Sequence, residues 1–314
     1  MKKGPLWIAA AAVFLVALLL IKDALIAGIV KESASSVLGT SVEIDRLRIA
    51  LFKPSVEMSG FRVMQPRGFP KGPLLDVAET RADYDIGALF AGKIHFRKAE
   101  VVVREAVMIR DRNGALNVDA LKVAKKDAGE KTGSSSRFEI DSLTLTVEKV
   151  VSKDLSKGDK PVVEVWNLPI HDKTFSHLTS PEELANLVLV EALQSAAIKG
   201  ALIYGASAAA GTAFLPLGAA MLMIGQDADM ATVRTDYGRA FKAASQALGE
   251  LGNVTLEDKG SGMLKAVVNG CEITLALHKE SFRKIRITAS ARKLLMSQPR
   301  IASGVLYTVL EKLK

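Results

Sequence analysis

The stretch LLDVAETRADYDIGALFAGKIHFRKAEV, residues 74–101, decides the fold. Apolar and polar residues alternate along Leu74–Ile86 and again along Ile94–Arg104. Alternation places successive side chains on opposite faces of a strand, so each run predicts a half-buried β-strand. Because only a short segment separates the two runs, we expect the strands to be antiparallel neighbours in one sheet.

Further alternating runs lie on both sides of this stretch. They are Ser41–Leu51, Val56–Met64, Ala106–Arg112, Arg137–Val151 and Pro161–Ile170. Asn113-Gly114 is a strong turn signal, and Lys125–Ser136 is a polar linker of the solvated kind. Strands joined this closely predict an antiparallel meander over residues 41–178. Each strand presents one apolar face, which must meet a second layer, a helix or a ligand.

The first 23 residues predict a membrane anchor. A basic leader precedes the uninterrupted apolar run LWIAAAAVFLVALLLI at Leu6–Ile21. As a helix this run spans about 24 Å, and snorkelling of Lys22 extends it toward the ~30 Å bilayer core. A cleaved signal peptide is the alternative, but no small-x-small pattern follows Ile21. We therefore expect a retained anchor with a cytoplasmic N-terminus, and then an amphipathic helix over residues 24–40 ending at Gly39.

Residues 179–226 predict an apolar helical segment. Ser180 is a good N-cap, and Pro181 suits the first helical position. The uncharged stretch Ala201–Gly225 has the length of a membrane span, but acidic residues follow it where a cytoplasmic flank should be basic. It is therefore either a second span or, as the favoured alternative, a membrane-hugging hairpin or small-residue packing segment.

Residues 227–314 predict a small α+β sandwich. The expected order is a helix at Ala231–Leu251, strands at Val254–Glu257, Met263–Val268, Cys271–Leu277 and Ile285–Ala291, and a helix at Pro299–Leu313. The stretches VRTDYGRAFKAASQALGEL (233–251), GCEITLAL (270–277) and RKIRITAS (283–290) resemble a small uncharacterised domain of bacterial lipoproteins. That resemblance implies location more than function. The basic run Lys279–Arg300 is either a solvated edge or a face held against anionic headgroups.

The N-terminal half, from Lys2 to Ile170, resembles AsmA-like proteins. The resemblance rests on four motifs in order along the chain. They are V-x-I-x-x-L at Val42–Leu47, VEMSGFRVMQPRGFP at Val56–Pro70, residues 74–101 quoted above, and RDRNGALNVDAL at Arg110–Leu121. Gln65-Pro66 stands where that family usually has Asn-Pro. The resemblance implies a periplasmic sheet of antiparallel strands, which in longer relatives curls into an apolar groove thought to conduct lipid.

Composition and motifs argue against enzyme chemistry. The net charge of +8 and pI of about 9.4 favour anionic surfaces such as phospholipid headgroups, while no basic, aromatic-interleaved stretch suggests nucleic acid. Phosphate-loop, hydrolase-elbow and Cys-His patterns do not occur in the sequence. His171 and His177 have the wrong spacing for a helical zinc pair, and Cys271 is expected to be a small core residue. We predict no catalytic, metal or cofactor site.

The predicted fold class is therefore α+β: a transmembrane helix, a curled antiparallel sheet, an apolar helical segment and a C-terminal sandwich. The expected location is the bacterial inner membrane, single-pass, with the bulk of the chain periplasmic. The function predicted is non-enzymatic lipid handling or envelope maintenance, with membrane lipid and other envelope proteins as partners. The alternative is a protein-binding scaffold without lipid cargo. Eight residues are the candidates for lipid contact: Ile94, Phe96, Val101, Val103, Ile140, Leu143, Leu145 and Val147.

Overall fold

The structure, a computed structural model, describes residues 22–125, 137–195, 228–294 and 296–314. It contains two modules, each built on one sheet. In the first module, residues 22–38 are helical and are called α1. The strands that follow are β1 (Val42–Glu43), β2 (Arg46–Ala50), β3 (Ser55–Met64), β4 (Pro73–Tyr84), β5 (Ile94–Arg110), β6 (Phe138–Asp154) and β7 (Val162–Leu178). Its other helices are α2 (Ile86–Phe90), α3 (Lys122–Lys125) and α4 (Pro181–Ser195), and Asn117–Ala120 forms a 3-10 turn.

The first sheet has seven strands in the order β1-β3-β4-β5-β6-β7, and β2 pairs with the other half of β3. Strands β5, β6 and β7 have 17 residues each, so they are roughly 55 Å long. The two alternating runs predicted on either side of Glu105 are therefore one continuous strand. Because β5, β6 and β7 are so long, the two ends of the first sheet are well separated.

The predicted antiparallel meander is wrong at one position, because β5 and β6 are parallel. After β5 the chain turns and runs back over one face of the sheet, where Leu116, Val118 and Leu121 are buried. It thus returns to the start of β5, and Ile94 becomes the register partner of Phe138. Two parallel strands can be joined only by a crossover connection. The chain segment between β5 and β6 is that connection.

Helices cover one face of the first sheet. The core on that face joins buried strand residues to Leu38 of α1, to the 3-10 turn and α3, and to Leu187, Val188 and Leu189 of α4. The helix ends form as the sequence predicts. Gly39 adopts a left-handed backbone after α1, and the Ser180 hydroxyl accepts a hydrogen bond from the Glu183 backbone N–H at the start of α4.

The second module is a six-stranded antiparallel sheet covered by two helices. Its elements are β8 (Ala228–Val233), α5 (Tyr237–Leu251), β9 (Asn253–Asp258), β10 (Met263–Val268), β11 (Cys271–Ser281), β12 (Lys284–Lys293), β13 (Met296–Ser297) and α6 (Pro299–Glu311). The strand order is β13-β12-β11-β10-β9, and β8 also pairs with β12.

Two parts of the predicted sandwich are corrected by this topology. The prediction had three or four strands, whereas β8 and β13 both add to β12. The helix predicted from Ala231 begins only at Tyr237, because Asp236 caps it by accepting a hydrogen bond from the Arg239 backbone N–H. Residues 228–233 pair with β12 instead, and this long-range pairing overrides the helical spacing of Val233 and Tyr237.

The two modules share a core at the end of the first sheet where β5 finishes. Helix α6 packs between them: Val107, Ile109 and Val151 lie in the same buried cluster as Val305 and Leu306. The contact with β7 is close, because a Cβ placed on Gly304 would overlap the carbonyl oxygen of Val163. The long strands are therefore buried on both faces at this end.

The membrane part of the predicted fold class is also corrected. Among the described residues, no helix combines the length and the apolar character needed to cross a bilayer. This finding contradicts the predicted transmembrane helix and the predicted single-pass inner-membrane arrangement. The apolar run Leu6–Ile21 and the segment Ala201–Gly225 lie outside the described residues.

Candidate functional site

The eight residues predicted to contact lipid lie side by side on β5 and β6. The parallel register pairs Phe96 with Ile140, Val101 with Leu145 and Val103 with Val147. All of these side chains except Ile94 belong to one core cluster, and a register shift between β4 and β5, opposite Phe96 and Lys98, accompanies the slip in alternation on β5. Six are buried: Val101, Val103, Ile140, Leu143, Leu145 and Val147. Phe96 is partly buried, and only Ile94, 48% exposed, has substantial contact with solvent.

The helical layer turns this face into a closed core. Residues of α1, α3 and α4 pack on the same cluster that contains Leu143 and Leu145, both at 0% exposure. The helices leave a cavity of only about 110 Å³ near Val37 and Val123, well below the several hundred Å³ of an ordinary ligand pocket. The buried face of β5 and β6 therefore stabilises the fold.

A group of large apolar side chains is exposed at the end of the first sheet where β5 begins. It consists of Leu51 and Phe52 in the β2–β3 loop, Ile86, Leu89 and Phe90 of α2, and Ile94. We call this group the apolar end. Phe52 is fully exposed and Phe90 is 88% exposed. Isolated exposed apolar residues are common, but several neighbouring ones mark an interaction site.

Hydrogen bonds to backbone carbonyls hold the segments of the apolar end together. The Tyr84 N–H donates to the Pro54 carbonyl, and the Tyr84 hydroxyl donates to the Ala50 carbonyl, so the β2–β3 loop is fixed beside the end of β4. The Ile94 N–H donates to the Arg137 carbonyl, which joins the start of β5 to the start of β6. The two loops and α2 therefore lie along one rim of the sheet.

Helix α1 begins at the same rim. The Lys22 ammonium donates to the Ile49 carbonyl, and the Asp23 carboxylate accepts from the Ile49 backbone N–H. The pKa of Asp23 is lowered, chiefly by its hydrogen bond with Lys22. Leu25 and Ile29, 58% and 64% exposed, stand on this helix one turn apart. They extend the exposed apolar surface away from the rim.

The charges within the apolar end are basic. Residues 51–54 and 86–94 contain Lys53 and Lys93 and no acid. Asp85 is the N-cap residue of α2. Its carboxylate accepts a hydrogen bond from the Ala88 backbone N–H, and that hydrogen bond lowers the pKa of Asp85. Lys53 and Lys93 thus stand beside the exposed apolar side chains, which is a pairing that an anionic surface would attract.

A second polar group lies at the junction of the modules. Glu105 accepts hydrogen bonds from the Tyr307 hydroxyl (2.8 Å) and from the Lys149 ammonium (2.7 Å), while Lys149 and Lys153 lie over the Tyr307 ring. Burial raises the pKa of Tyr307 and lowers that of Lys153. Perturbed groups of this kind can mark a site, but these four fill the α6 contact and interact with one another. We interpret them as structural.

Three groups with metal-ligand atoms meet on the outer face of the sheet near the apolar end. His95 Nε2 lies 2.9 Å from Asp141 Oδ1, and Glu139 completes a set whose ligand atoms are all within 4.8 Å of one another. Sequence reasoning tested the histidines only against each other and missed this set, since its members are distant in sequence.

Sequence reasoning also missed the apolar end. Its signal was the apolar content of two short connections between strands, LF at residues 51–52 and ALF at 88–90. Comparison of the chain with protein-family profiles and with curated protein sequences gave no match. The resemblance to AsmA-like proteins therefore stays a prediction.

Proposed function

We propose that the protein is a non-enzymatic protein that binds anionic lipid surfaces through its apolar end. The exposure of Phe52 and Phe90 beside Lys53 and Lys93 is the observation that carries this proposal. Aromatic side chains on loops enter the boundary between headgroups and acyl chains, while lysines remain at the headgroups. The chain's net charge of +8 acts in the same direction.

The free energies expected from these side chains are sufficient for reversible binding to a lipid surface. Burial of one exposed Phe side chain contributes about 1.5–3 kcal/mol, and each lysine near an anionic surface adds about 1 kcal/mol. Two of each give several kcal/mol before the cost of immobilisation, so binding is expected to depend on both apolar contact and charge. This differs from a groove that encloses a lipid, because described residues of α1, α3 and α4 cover the buried face of β5 and β6.

Vesicle flotation with the full chain tests the proposal. We expect the double variant F52S/F90S to bind phosphatidylglycerol-containing vesicles at least about tenfold more weakly than the unmodified chain, since ~1.4 kcal/mol is a factor of ten. Raising the salt concentration should weaken binding further, because charge attraction is screened. Unchanged binding of F52S/F90S would contradict the proposal.

Phe282→Ser is the matched control. Phe282 is 86% exposed and lies beside the basic residues Arg283 and Lys284, but it belongs to the second module. Another exposed apolar residue of that module, Leu294, lies at the opposite end of β12, so the two do not form one patch. We expect this variant to bind vesicles as the unmodified chain does. Loss of binding in Phe282→Ser would move the lipid contact to the basic run of residues 279–300.

A protein-binding scaffold is the second candidate function. The specific observation is that β7, with 17 residues, is the last strand of its sheet and, among the described strands, pairs only with β6. An edge strand can accept a strand from a partner through backbone hydrogen bonds. If the protein is a scaffold, its partner protein should remain bound to the F52S/F90S variant. If it binds lipid surfaces, the same variant should lose its binding to vesicles.

A further inference from the structure

We propose that His95, Glu139 and Asp141 form a binding site for a divalent transition-metal ion of the zinc type. The proposal is independent of lipid binding and does not rest on it. One imidazole nitrogen and two carboxylate oxygens are ligands that zinc accepts, and the two carboxylates balance the charge of a divalent ion.

The positions of the three residues are fixed by paired strands and not by a flexible loop. His95 and Glu139 are register partners in the parallel pair β5–β6, and Asp141 is two residues further along the same face of β6. Their neighbours Phe96 and Ile140 point to the core on the opposite face. Regular strands therefore bring together groups that are 44 to 46 residues apart in sequence.

The distances need only a small adjustment to hold an ion. The 2.9 Å hydrogen bond between His95 Nε2 and Asp141 Oδ1 contains a proton that a metal ion would replace. In tetrahedral zinc coordination, with bonds of about 2.0–2.1 Å, two ligand atoms lie about 3.3 Å apart. The present spacings, between 2.9 and 4.8 Å, bracket that value. Rotation of these side chains, of which Glu139 is exposed and the other two are partly exposed, is enough to reach it.

A second imidazole lies on the neighbouring strand, outside the set of three whose ligand atoms are within 4.8 Å of one another. His177 lies between Ser176 and Leu178, the register partners of Ser142 and Ile140, so it stands beside Asp141. Its backbone is left-handed, with φ of 56°, a conformation that is uncommon for residues other than glycine. Strain at such a position is often associated with a binding role. His177 would complete the coordination, or water would.

Zinc titration of the purified full chain, carrying a tag free of histidine, tests the site. We expect one zinc ion per chain at His95, Glu139 and Asp141. Both H95A and E139Q should bind zinc at least about tenfold more weakly, because each removes one ligand. His278→Ala is the control, since His278 lies opposite Arg286 in the second module.

Thermal melting separates loss of the site from loss of the fold. Zinc should raise the melting temperature of the unmodified chain and of His278→Ala, because an ion bound only to the native state stabilises it. In H95A and E139Q the unfolding transition should persist without that increase. The proposal is overturned if the unmodified chain binds no stoichiometric zinc, if H95A and E139Q bind as tightly as the unmodified chain, or if His278→Ala weakens binding equally.

Discussion

Leu145 lies at the centre of the first sheet with no solvent contact. Its register partner Lys173 already pairs with Glu191, so a new carboxylate at this position would be buried without water and would compete for an occupied cation. We predict that Leu145→Glu destabilises the protein by several kcal/mol, as expected for an unpaired buried ion. Urea denaturation followed by circular dichroism measures the effect. A folded Leu145→Glu protein would show that this face opens, as the groove of the AsmA-like resemblance implies.

Ile94 provides the contrasting substitution on the same strand pair. It was predicted as a lipid contact together with Leu145, but it is 48% exposed and belongs to the apolar end. We expect Ile94→Glu to leave the free energy of unfolding within about 1 kcal/mol of the unmodified value. The same variant should weaken binding to anionic vesicles, because the new carboxylate is repelled by the headgroups.

Tyr307 predicts how stability depends on alkaline pH. Burial, with the charge of Glu105, raises the pKa of Tyr307 above its ordinary value of 10.0, so the folded state retains this proton at higher pH than the unfolded state. The stabilising contribution is fully present below about pH 10 and is lost as the pH rises above it. Lys153 acts oppositely: its lowered pKa makes stability increase with pH up to about 10.5.

The variant Tyr307→Phe isolates the tyrosine contribution. We expect it to cost about 1–3 kcal/mol at neutral pH, because the hydrogen bond to the Glu105 carboxylate is lost. Above pH 10 its free energy of unfolding should fall less steeply than that of the unmodified chain. Denaturant titrations between pH 8 and 11 measure both effects, and equal slopes would contradict the assignment.

At the scale of elements, the contact between α6 and β7 depends on Gly304. Alanine is normally the better helix former by about 1 kcal/mol, but a Cβ at this position would overlap the Val163 carbonyl. We therefore predict that Gly304→Ala destabilises the junction of the modules. Gly249→Ala in α5 is the control, because no atom lies within 4 Å of its added Cβ. It should stabilise the protein by up to about 1 kcal/mol, and thermal denaturation should resolve the opposite signs.

Local patterns predicted the elements that depend on local interactions. Asn269-Gly270 forms the predicted two-residue hairpin turn, with positive φ at both residues and Val268 paired with Cys271. Alternation identified β5 and β6 and even the face shared by seven of the eight candidate residues. Turn chemistry and side-chain periodicity act over a few residues, so they can be read from the sequence.

Features that depend on long-range packing could not be read in this way. Alternation marks an apolar face but does not say what covers it, so Leu143 and Leu145 were assigned to lipid although α4 packs over them. The parallel pairing of β5 with β6 depends on the return of the chain across the sheet, and the strand β8 exists because β12 pairs with it. The set of His95, Glu139 and Asp141 was hidden for the same reason, since only the β5–β6 register brings it together.

At the scale of the whole molecule, the first sheet has two different ends. The strands β5–β7 are held by α6 and the second module at one end, while the other end carries Phe52, Phe90 and the lysines beside them. Strands about 55 Å long therefore place the second module well away from the proposed lipid contact. This arrangement predicts that a lipid surface is approached by the apolar end alone.

A local probe of polarity tests this central claim most directly, because it reports which residue enters the lipid surface. A single added cysteine, in Phe52→Cys or in Phe282→Cys, is labelled with a polarity-sensitive fluorophore. The native Cys271 should react slowly, since it is buried and burial raises the pKa of its thiol. With anionic vesicles, we predict a shift to an apolar environment at residue 52 and none at residue 282. An aqueous environment at residue 52 in the vesicle-bound protein would contradict the account.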